Sequence, residues 1–225
     1  MAMTKHGILM TPDNAEKCYR ETKTVTRLLI KQQPPAGITG VTETVVAGKR
    51  TWCFERQLPD GEWEFWHARP PYFRHDIVAI AETHWAFGSK YKDDADHWRF
   101  LTMACHKNPF VIFEQPSGRW KPTDRTKLGY HKRPAIFLPY DLARTYWEIL
   151  DARPERLQDI SEEDAVAEGC ACRSWESEQH NKCWDAATYA SKVFSGLWDS
   201  INARRGYPFD SNPWVWRLEG RKVTL

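Results

Sequence analysis

The sequence predicts a mixed α+β fold in which short strands outnumber helices, and three observations carry that prediction. Several segments alternate apolar with polar residues, as strands with one buried face do. The segment DIVAIAE, residues 76–82, is almost continuously apolar, which is typical of a strand buried on both faces. Residues 185–204 place their apolar side chains on one helical face. A chain of 225 residues can bury a real core, and we expect one domain spanning residues 1–225.

In the first half of the chain, a helix is expected to begin at Thr11 and Pro12, since a capping hydroxyl followed by proline favours a helix start. The segment TVTRLLIK that follows has the β-branched content of a strand. The segments RTWCFERQL and EWEFWHA flank a Pro-Asp-Gly turn at 59–61, which predicts a β-hairpin. No regular period is visible from Phe87 to Arg133. We therefore expect a long insertion folded onto the core over these residues.

In the second half, the segments AIFLP and RTYWEILDARPERL are expected to be strands. Ser161 is expected to begin a short helix that ends at Gly169. The longer helix at 185–204 ends in two arginines and Gly206, which supply a basic last turn and a C-cap. The final strand is NPWVWRLE.

The composition limits the classes of function. The 32 Lys and Arg residues nearly cancel the 30 Asp and Glu residues, so any contact with nucleic acid must be local. The 12 Trp residues leave two uses open, which are packing a small barrel and stacking on bases. No segment approaches the ~18 apolar residues of a membrane span, and the first residues do not resemble a signal peptide. We expect a cytoplasmic protein without a membrane partner.

The segment RETKTVTR places Lys23 three positions before Thr26, with Arg27 beside it. A threonine hydroxyl is a useful nucleophile only when a base takes its proton, and lysine serves as that base only when its pKa is lowered. The spacing fits such a pair. It fits equally a polar strand end whose lysine extends toward water.

Four segments together are similar, in this order, to the ASCH domain of bacteriophage and prophage proteins. They are ETKTVTR at 21–27, RHDIVAIAET at 74–83, ERLQDISEEDAVAEG at 155–169 and LWDSINARRGYPFDSNPWVWRLE at 197–219. The resemblance leaves out about residues 34–66 and 87–133, and it implies a single domain with insertions at about 34–66, 87–133 and 170–184. It implies a PUA-like fold, which is a small β-barrel flanked by helices and is related to modules that bind RNA or read modified bases. If the protein is encoded by a phage, we expect it in the cytoplasm of the bacterial host.

The resemblance also implies a cleft in which the lysine and second threonine of a K-T-x-T motif meet a glutamate from a helix. The matching positions are Lys23, Thr26 and Glu168, which are the candidate catalytic residues. In small members this trio resembles an amidohydrolase site that removes the acetyl group of N4-acetylcytidine, with threonine as nucleophile, lysine as base and glutamate as support. Other members are ribonucleases or RNA binders. No cofactor is required for this chemistry.

Two positions depart from the family pattern. The family usually has glycine two residues before the lysine and in a P-G-D turn, where this chain has Glu21 and His75. Both positions are expected to need a backbone with positive φ. The carboxylate of Glu21 is also expected to favour the protonated form of Lys23.

A basic and aromatic stretch within the expected insertion is a candidate surface for nucleic acid, because cations contact phosphates and aromatic rings stack on bases. A solvated loop is the alternative interpretation. Together with Arg27 at the cleft, the candidate nucleic-acid-binding residues are Arg119, Trp120, Lys121, Arg125, Lys127, Lys132 and Arg133.

Beyond the short helix, the chain contains four side chains of the kinds that bind zinc. Cys170, Cys172, His180 and Cys183 supply three thiolates and an imidazole, which could close a tetrahedral structural zinc site. The alternative is reduced thiols and a surface histidine.

Three functional hypotheses follow. The first is a protein that binds RNA, DNA or a modified nucleoside in the cleft of Lys23, Thr26, Arg27 and Glu168. The second is an amidohydrolase that acts on N4-acetylcytidine or a related nucleoside. The third is a phage accessory protein that binds a host protein through exposed aromatic residues.

Overall fold

Strands and helices both contribute to this protein, so the prediction of a mixed α+β fold is confirmed. A computed structural model describes residues 7–102, 111–116, 120, 122–170 and 186–225, with only the backbone described at 186–189. None of the described helices is both long enough and apolar enough to span a lipid bilayer.

Most of the described strands lie before Pro134, whereas two of the described α-helices lie after Ser161. The strands are β1 Gly7–Leu9, β2 Val25–Leu29, β3 Gly40–Val46, β4 Lys49–Gln57, β5 Trp63–Ala68, β6 Ile77–Ala81, β7 His84–Lys92, β8 Trp98–Thr102, β9 Val111–Ile112, β10 Gly129–Arg133, β11 Tyr146–Arg156 and β12 Trp214–Val223. The α-helices are α1 Pro12–Tyr19, α2 Glu162–Ala165 and α3 Ala186–Asn202.

The described residues form two compact units. Unit 1 contains those of Met1–Tyr19, Val78–Tyr146 and Thr224–Leu225. Unit 2 contains Arg20–Ile77 and those of Trp147–Val223. The expectation of one domain with insertions stays a prediction.

Unit 1 contains an antiparallel sheet in which β7 is flanked by β8 and β10 and also pairs with β9. Segments of residues 87–133, in which the sequence shows no regular period, therefore form strands. Lys90 and Lys92 share a sheet face with Trp98 and Phe100, because they are the cross-strand partners of those two rings. Cations and aromatic rings on the same face remove the alternation of apolar and polar residues that predicts a strand.

The predicted strand AIFLP is wrong. Ala135–Phe137 forms a 3-10 turn, in which the amide of Phe137 donates to the carbonyl of Pro134 over 3.0 Å. Proline stands on both sides of the segment at Pro134 and Pro139, and a proline has no N–H to donate to a sheet. The short apolar run therefore closes as a turn and leaves Ile136 exposed.

In unit 2, β11, β12 and β2 are neighbours in that order, and β12 is antiparallel to β2. The predicted hairpin is confirmed as β4 and β5, with β3 completing a second antiparallel sheet. Phe54 of the hairpin is fully buried, and its ring meets that of Trp214 edge-on with centroids 5.0 Å apart.

The predicted helix ends in unit 2 are also confirmed. The hydroxyl of Ser161 accepts from the amide of Asp164 over 3.1 Å and caps α2. A π-turn at Val166–Cys170 follows, in which Gly169 has φ 81°. Gly206 has φ 87° and ends the turn after α3. Side chains of these elements share one core with β12, formed by Leu157, Ala165, Cys170, Ala190, Phe194, Trp198 and Val215.

Candidate functional site

The first candidate site lies in unit 2, where the start of β2 meets the π-turn after α2. Lys23 lies two residues before β2, as predicted for the junction between a helix and a strand. The amide of Thr24 donates to the carbonyl of Ala167 over 2.8 Å, and the amide of Gly220 donates to the carbonyl of Thr24 over 2.9 Å. These backbone bonds hold the lysine beside the residue that follows Ala167, which is Glu168.

Lys23 and Glu168 form a buried ion pair although 145 positions separate them. The ammonium nitrogen Nζ of Lys23 contacts Oε2 of Glu168 and also donates to the backbone carbonyl of Glu168 over 3.0 Å. The two side chains are only 1% and 3% exposed. The structure therefore brings together two of the three predicted catalytic residues.

Arg27 extends this pair into a network of charges. Its Nη1 donates to Oε1 of Glu168 over 3.1 Å, and its Nε donates to Glu155 over 2.6 Å. Its Nη2 donates to Asp164 over 2.6 Å. Because each nitrogen of the guanidinium already contacts a carboxylate, Arg27 has little capacity left for a phosphate.

Arg217 joins the network from β12. Its Nε and Nη2 both donate to Asp164 over 2.8 Å, in the two-pronged geometry that suits arginine and carboxylate. Its Nη1 donates to Glu219 over 2.9 Å. Sequence inspection missed Arg217, Glu155 and Asp164 as members of this site, although all three lie in segments that resemble the ASCH domain.

The protein perturbs two carboxyl groups of this network in opposite directions. Hydrogen bonds from Arg217 and then Arg27 lower the pKa of Asp164 from 3.8 to about 2, against the effect of burial. Burial raises the pKa of Glu155 above its usual 4.5, and the opposing effect of Arg27 does not overcome it. Asp164 is therefore ionised throughout the neutral range and serves as the shared anion of two arginines.

Thr26 lies on β2 with its side chain on the sheet face opposite that of Arg27. Thr26 is the cross-strand partner of Leu218, whereas Arg27 is the partner of Arg217, and successive side chains of a strand point to opposite faces. In the described part of the chain, no hydrogen bond joins the Thr26 hydroxyl to Lys23 or Glu168. The role of Thr26 as nucleophile stays a prediction.

The two positions that depart from the family pattern both have left-handed backbone, as expected. Glu21 has φ 61° and His75 has φ 72°. The carboxylate of Glu21 lies 3.5 Å from the ammonium of Lys222 and is two-thirds exposed. The carboxylate that contacts Lys23 is instead that of Glu168.

The second candidate site lies in unit 1, on one face of the sheet formed by β7, β8 and β10. Arg125 places its guanidinium carbon 4.9 Å from the ring centre of Trp98. Arg133 lies 4.6 Å from the ring centre of Phe100 and 4.2 Å from that of Phe137. We term this surface the aromatic–basic face, and it consists of Lys90, Lys92, Trp98, Phe100, Arg125, Arg133 and Phe137.

The strand register explains how this face is assembled. Lys90 pairs with Phe100, Lys92 pairs with Trp98, and Arg133 enters the same face from β10. A Cβ on Gly88 would lie 2.8 Å from a Phe100 ring carbon, so glycine makes room for the ring to lie across β7. Lys92 also pairs with Asp96, whereas Arg125 and Arg133 contact no carboxylate among the described residues.

The predicted nucleic-acid-binding residues do not all lie on one surface. Arg125 and Arg133 belong to the aromatic–basic face, while Lys132 is exposed on the opposite face of the same sheet. Lys127 is exposed in the turn before β10. Trp120 is partly buried and packs edge-on against the buried ring of Phe87, with centroids 5.7 Å apart. Arg119 and Lys121 lie outside the described residues.

Sequence inspection missed Trp98 and Phe100. The signal was present in HWRFL, where two aromatic residues alternate with other residues next to a lysine-rich strand.

The zinc hypothesis is only partly covered by the structure. Cys170 is buried in the core of unit 2, whereas Cys172, His180 and Cys183 lie outside the described residues. Elsewhere in the described chain, no group of His, Cys, Asp and Glu is arranged to hold a metal ion.

Comparison with protein-family models, curated proteins and solved structures finds no match to this chain.

Proposed function

We propose that this protein binds nucleic acid, RNA or DNA, through the aromatic–basic face of unit 1. One observation carries the proposal: Arg125 and Arg133 lie against aromatic rings and contact no carboxylate among the described residues. A ring holds the guanidinium in place through its flat surface and leaves the N–H donors at the edge available for phosphate oxygens. This arrangement suits a polyanion that also offers bases for stacking.

The charged network of unit 2 is less suited to phosphate binding than the aromatic–basic face of unit 1. Lys23 and Arg27 are buried, and their donors already contact carboxylates. Replacing those carboxylates by a phosphate would leave buried anions without partners, which is costly. The proposal therefore rests on the arginines of unit 1.

We further propose that the chain is an ASCH-type protein with the PUA-like barrel that this resemblance implies. Two observations support this classification. Lys23 contacts Glu168 directly, as expected of the K-T-x-T lysine and the helix glutamate. The backbone is left-handed at Glu21 and His75, the two positions where the family usually has glycine.

The experiment is a titration of fluorescein-labelled RNA and DNA strands by fluorescence anisotropy at several salt concentrations. For wild-type protein, the logarithm of affinity should fall linearly with the logarithm of salt concentration. The double variant Arg125→Ala/Arg133→Ala should bind more weakly and reduce that slope by about 1.4, which corresponds to two phosphate contacts on a single strand.

The matched control is the double variant Arg50→Ala/Arg69→Ala in unit 2. Both arginines are exposed, and Arg69 lies 4.9 Å from the ring centre of Phe73, so it reproduces the contact of Arg125 with Trp98. The control should bind as wild type does. Equal losses in both double variants, or no binding by wild-type protein, would contradict the proposal.

A second candidate function is the hydrolysis of an N-acylated nucleoside such as N4-acetylcytidine. The contact between Lys23 and Glu168 favours it, since the resemblance assigns the base and its support to these residues. Thr26 would attack the acetyl carbonyl while Lys23 takes the hydroxyl proton, and the amide C–N4 bond would then break as that proton passes to the departing cytidine amino group. Water would hydrolyse the remaining ester on Thr26 and release acetate. Thr26→Val should abolish turnover of N4-acetylcytidine. Unchanged turnover would contradict this assignment of the nucleophile.

A further inference from the structure

The aromatic–basic face has a geometry that selects among nucleic acids. The indole of Trp98 is 44% exposed, which is a large fraction for the largest apolar side chain. Its strand, β8, stands at the end of the sheet order β10-β7-β8 among the described residues. The guanidinium of Arg125 and the ammonium of Lys92 lie 4.9 Å and 5.7 Å from the centre of this ring, and Arg125 has no carboxylate partner among the described residues.

The spacing of Trp98 and Phe100 bears on the form of nucleic acid that fits this face. Trp98 and Phe100 are two positions apart on β8, which places them on one face about 7 Å from each other. In a stacked double helix, each strand advances about 3.4 Å per nucleotide. Neighbouring nucleotides that occupy both positions must therefore be unstacked from each other, and paired strands do not allow that separation.

The surroundings of Phe100 differ from those of Trp98. Phe100 is half-buried, and the guanidinium of Arg133 lies 4.6 Å from the centre of the Phe100 ring and 4.2 Å from that of Phe137. Phe137 is 55% exposed and so offers a second ring surface beside a cation. The face thus offers two ring surfaces, at Trp98 and Phe137, each with an arginine next to it.

We infer that the aromatic–basic face takes single-stranded nucleic acid, with one unpaired base stacked on Trp98 beside Arg125 and the next base near Arg133 and Phe137. This inference rests on the proposed function and names the form of its ligand. Because Arg125 and Arg133 lie over rings about 7 Å apart on β8, the backbone that joins the two bases passes both cations. Stacking on rings tolerates any base, so the face discriminates strand form rather than sequence.

The test compares three fluorescein-labelled probes of about 12 nucleotides per strand, a length within known single-strand site sizes. They are a single strand of mixed sequence, a hairpin duplex, and a single strand in which abasic sites replace the nucleotides of the centre. Wild-type protein should bind the intact single strand most tightly. Trp98→Ala should weaken that binding by about 5- to 150-fold, the range expected for one stacked base. It should leave binding to the hairpin and to the abasic strand unchanged.

Two further variants make the result independent of folding defects. Trp98→Phe retains a ring and should retain most of the affinity for the single strand. Trp63→Ala removes another exposed tryptophan, 52% exposed on β5 of unit 2, and should bind as wild type does. The abasic probe needs no variant and should bind wild-type protein at least as weakly as the intact strand binds Trp98→Ala.

The outcomes separate this inference from the proposed function. If the hairpin and the abasic strand bind as tightly as the intact strand, and Arg125→Ala/Arg133→Ala still weakens all three, the face binds phosphates only. The proposed function then holds and the single-strand inference is overturned. If no probe binds to wild-type protein, both fail.

Discussion

Arg27 and Arg217 lie directly opposite each other on adjacent antiparallel strands, and both donate to the carboxylate of Asp164. Like charges in directly opposed positions destabilise a sheet. Asp164 offsets this repulsion because it contacts Arg27 over 2.6 Å and Arg217 over 2.8 Å. One carboxylate of α2 therefore links the arginines of two adjacent strands.

The first prediction is that Asp164→Asn destabilises the protein by about 3 kcal/mol, because it leaves two largely buried guanidinium groups without their shared anion. Urea unfolding followed by circular dichroism measures the change. The matched control is Asp159→Asn, an exposed residue in the turn before α2, for which we expect a change within about 0.5 kcal/mol. Equal effects of the two variants would contradict the bridging role of Asp164.

The second prediction concerns acid. The pKa of Asp164 is about 2 in the folded protein and near 3.8 when unfolded, so the unfolded state binds more protons between these values. The contribution of Asp164 is complete above about pH 4, and about 2 kcal/mol of unfolding free energy should be lost as the pH falls toward 2. The stability difference between wild type and Asp164→Asn should therefore shrink over this range. A difference that stays constant from about pH 5 to pH 2 would show that the ionised form is not the stabilising one.

Glu155 should act in the opposite direction. Its pKa is raised above 4.5 in the folded protein, so the folded state binds more protons and unfolding free energy falls as the pH rises through that folded pKa. Glu155→Gln should therefore lose less stability at about pH 7 than at about pH 4. Urea unfolding at both values checks the sign, and a variant that loses more at the higher pH would contradict it.

The third prediction tests the buried pair of Lys23 and Glu168. Lys23→Met and Glu168→Gln should each cost about 3 kcal/mol, because each leaves a buried partner uncompensated. The double variant should cost at least about 1 kcal/mol less than the sum of the single variants, since neither charge is then left alone. Strictly additive costs would mean that the two residues are not coupled.

Lys17 and Asp13 provide the control for this comparison of single and double variants. They form an ion pair of 2.8 Å on the surface of α1, with Asp13 62% exposed. Their coupling should stay below about 0.5 kcal/mol because water screens exposed pairs.

The fourth prediction concerns Glu21, whose φ of 61° is costly for a residue with a Cβ. Glu21→Gly should raise the unfolding free energy by about 0.5 to 1 kcal/mol, since glycine adopts this backbone without strain. Glu21→Ala is the control, because it removes the carboxylate and keeps the Cβ, and it should not stabilise. If alanine stabilises as much as glycine, the carboxylate rather than the backbone is the source of the effect.

Much of the fold was determined by local sequence. Ser161 and Gly169 bound the short helix, Gly206 ends the turn after α3, and the alternating segments around the turn at 59–61 form the hairpin. In each case the deciding feature is local. It is a helix cap, a turn, or the alternation of apolar and polar residues along a strand. The pairing of Lys23 with Glu168 was also expected, although from the family resemblance rather than from spacing.

Other features were decided only by the tertiary structure. The strands of residues 87–133 could not be predicted from a period, because the rings of Trp98 and Phe100 share their face with lysines and contact arginines from other segments of the chain. The sequence also left open whether Arg27 contacts a ligand or belongs to a buried network. Its carboxylate partners, Glu155, Asp164 and Glu168, lie 128 to 141 positions away along the chain. A side chain's charge is visible in the sequence, but its partner is chosen by long-range packing. Only the folded chain therefore distinguishes the buried cations of unit 2 from those on the aromatic–basic face.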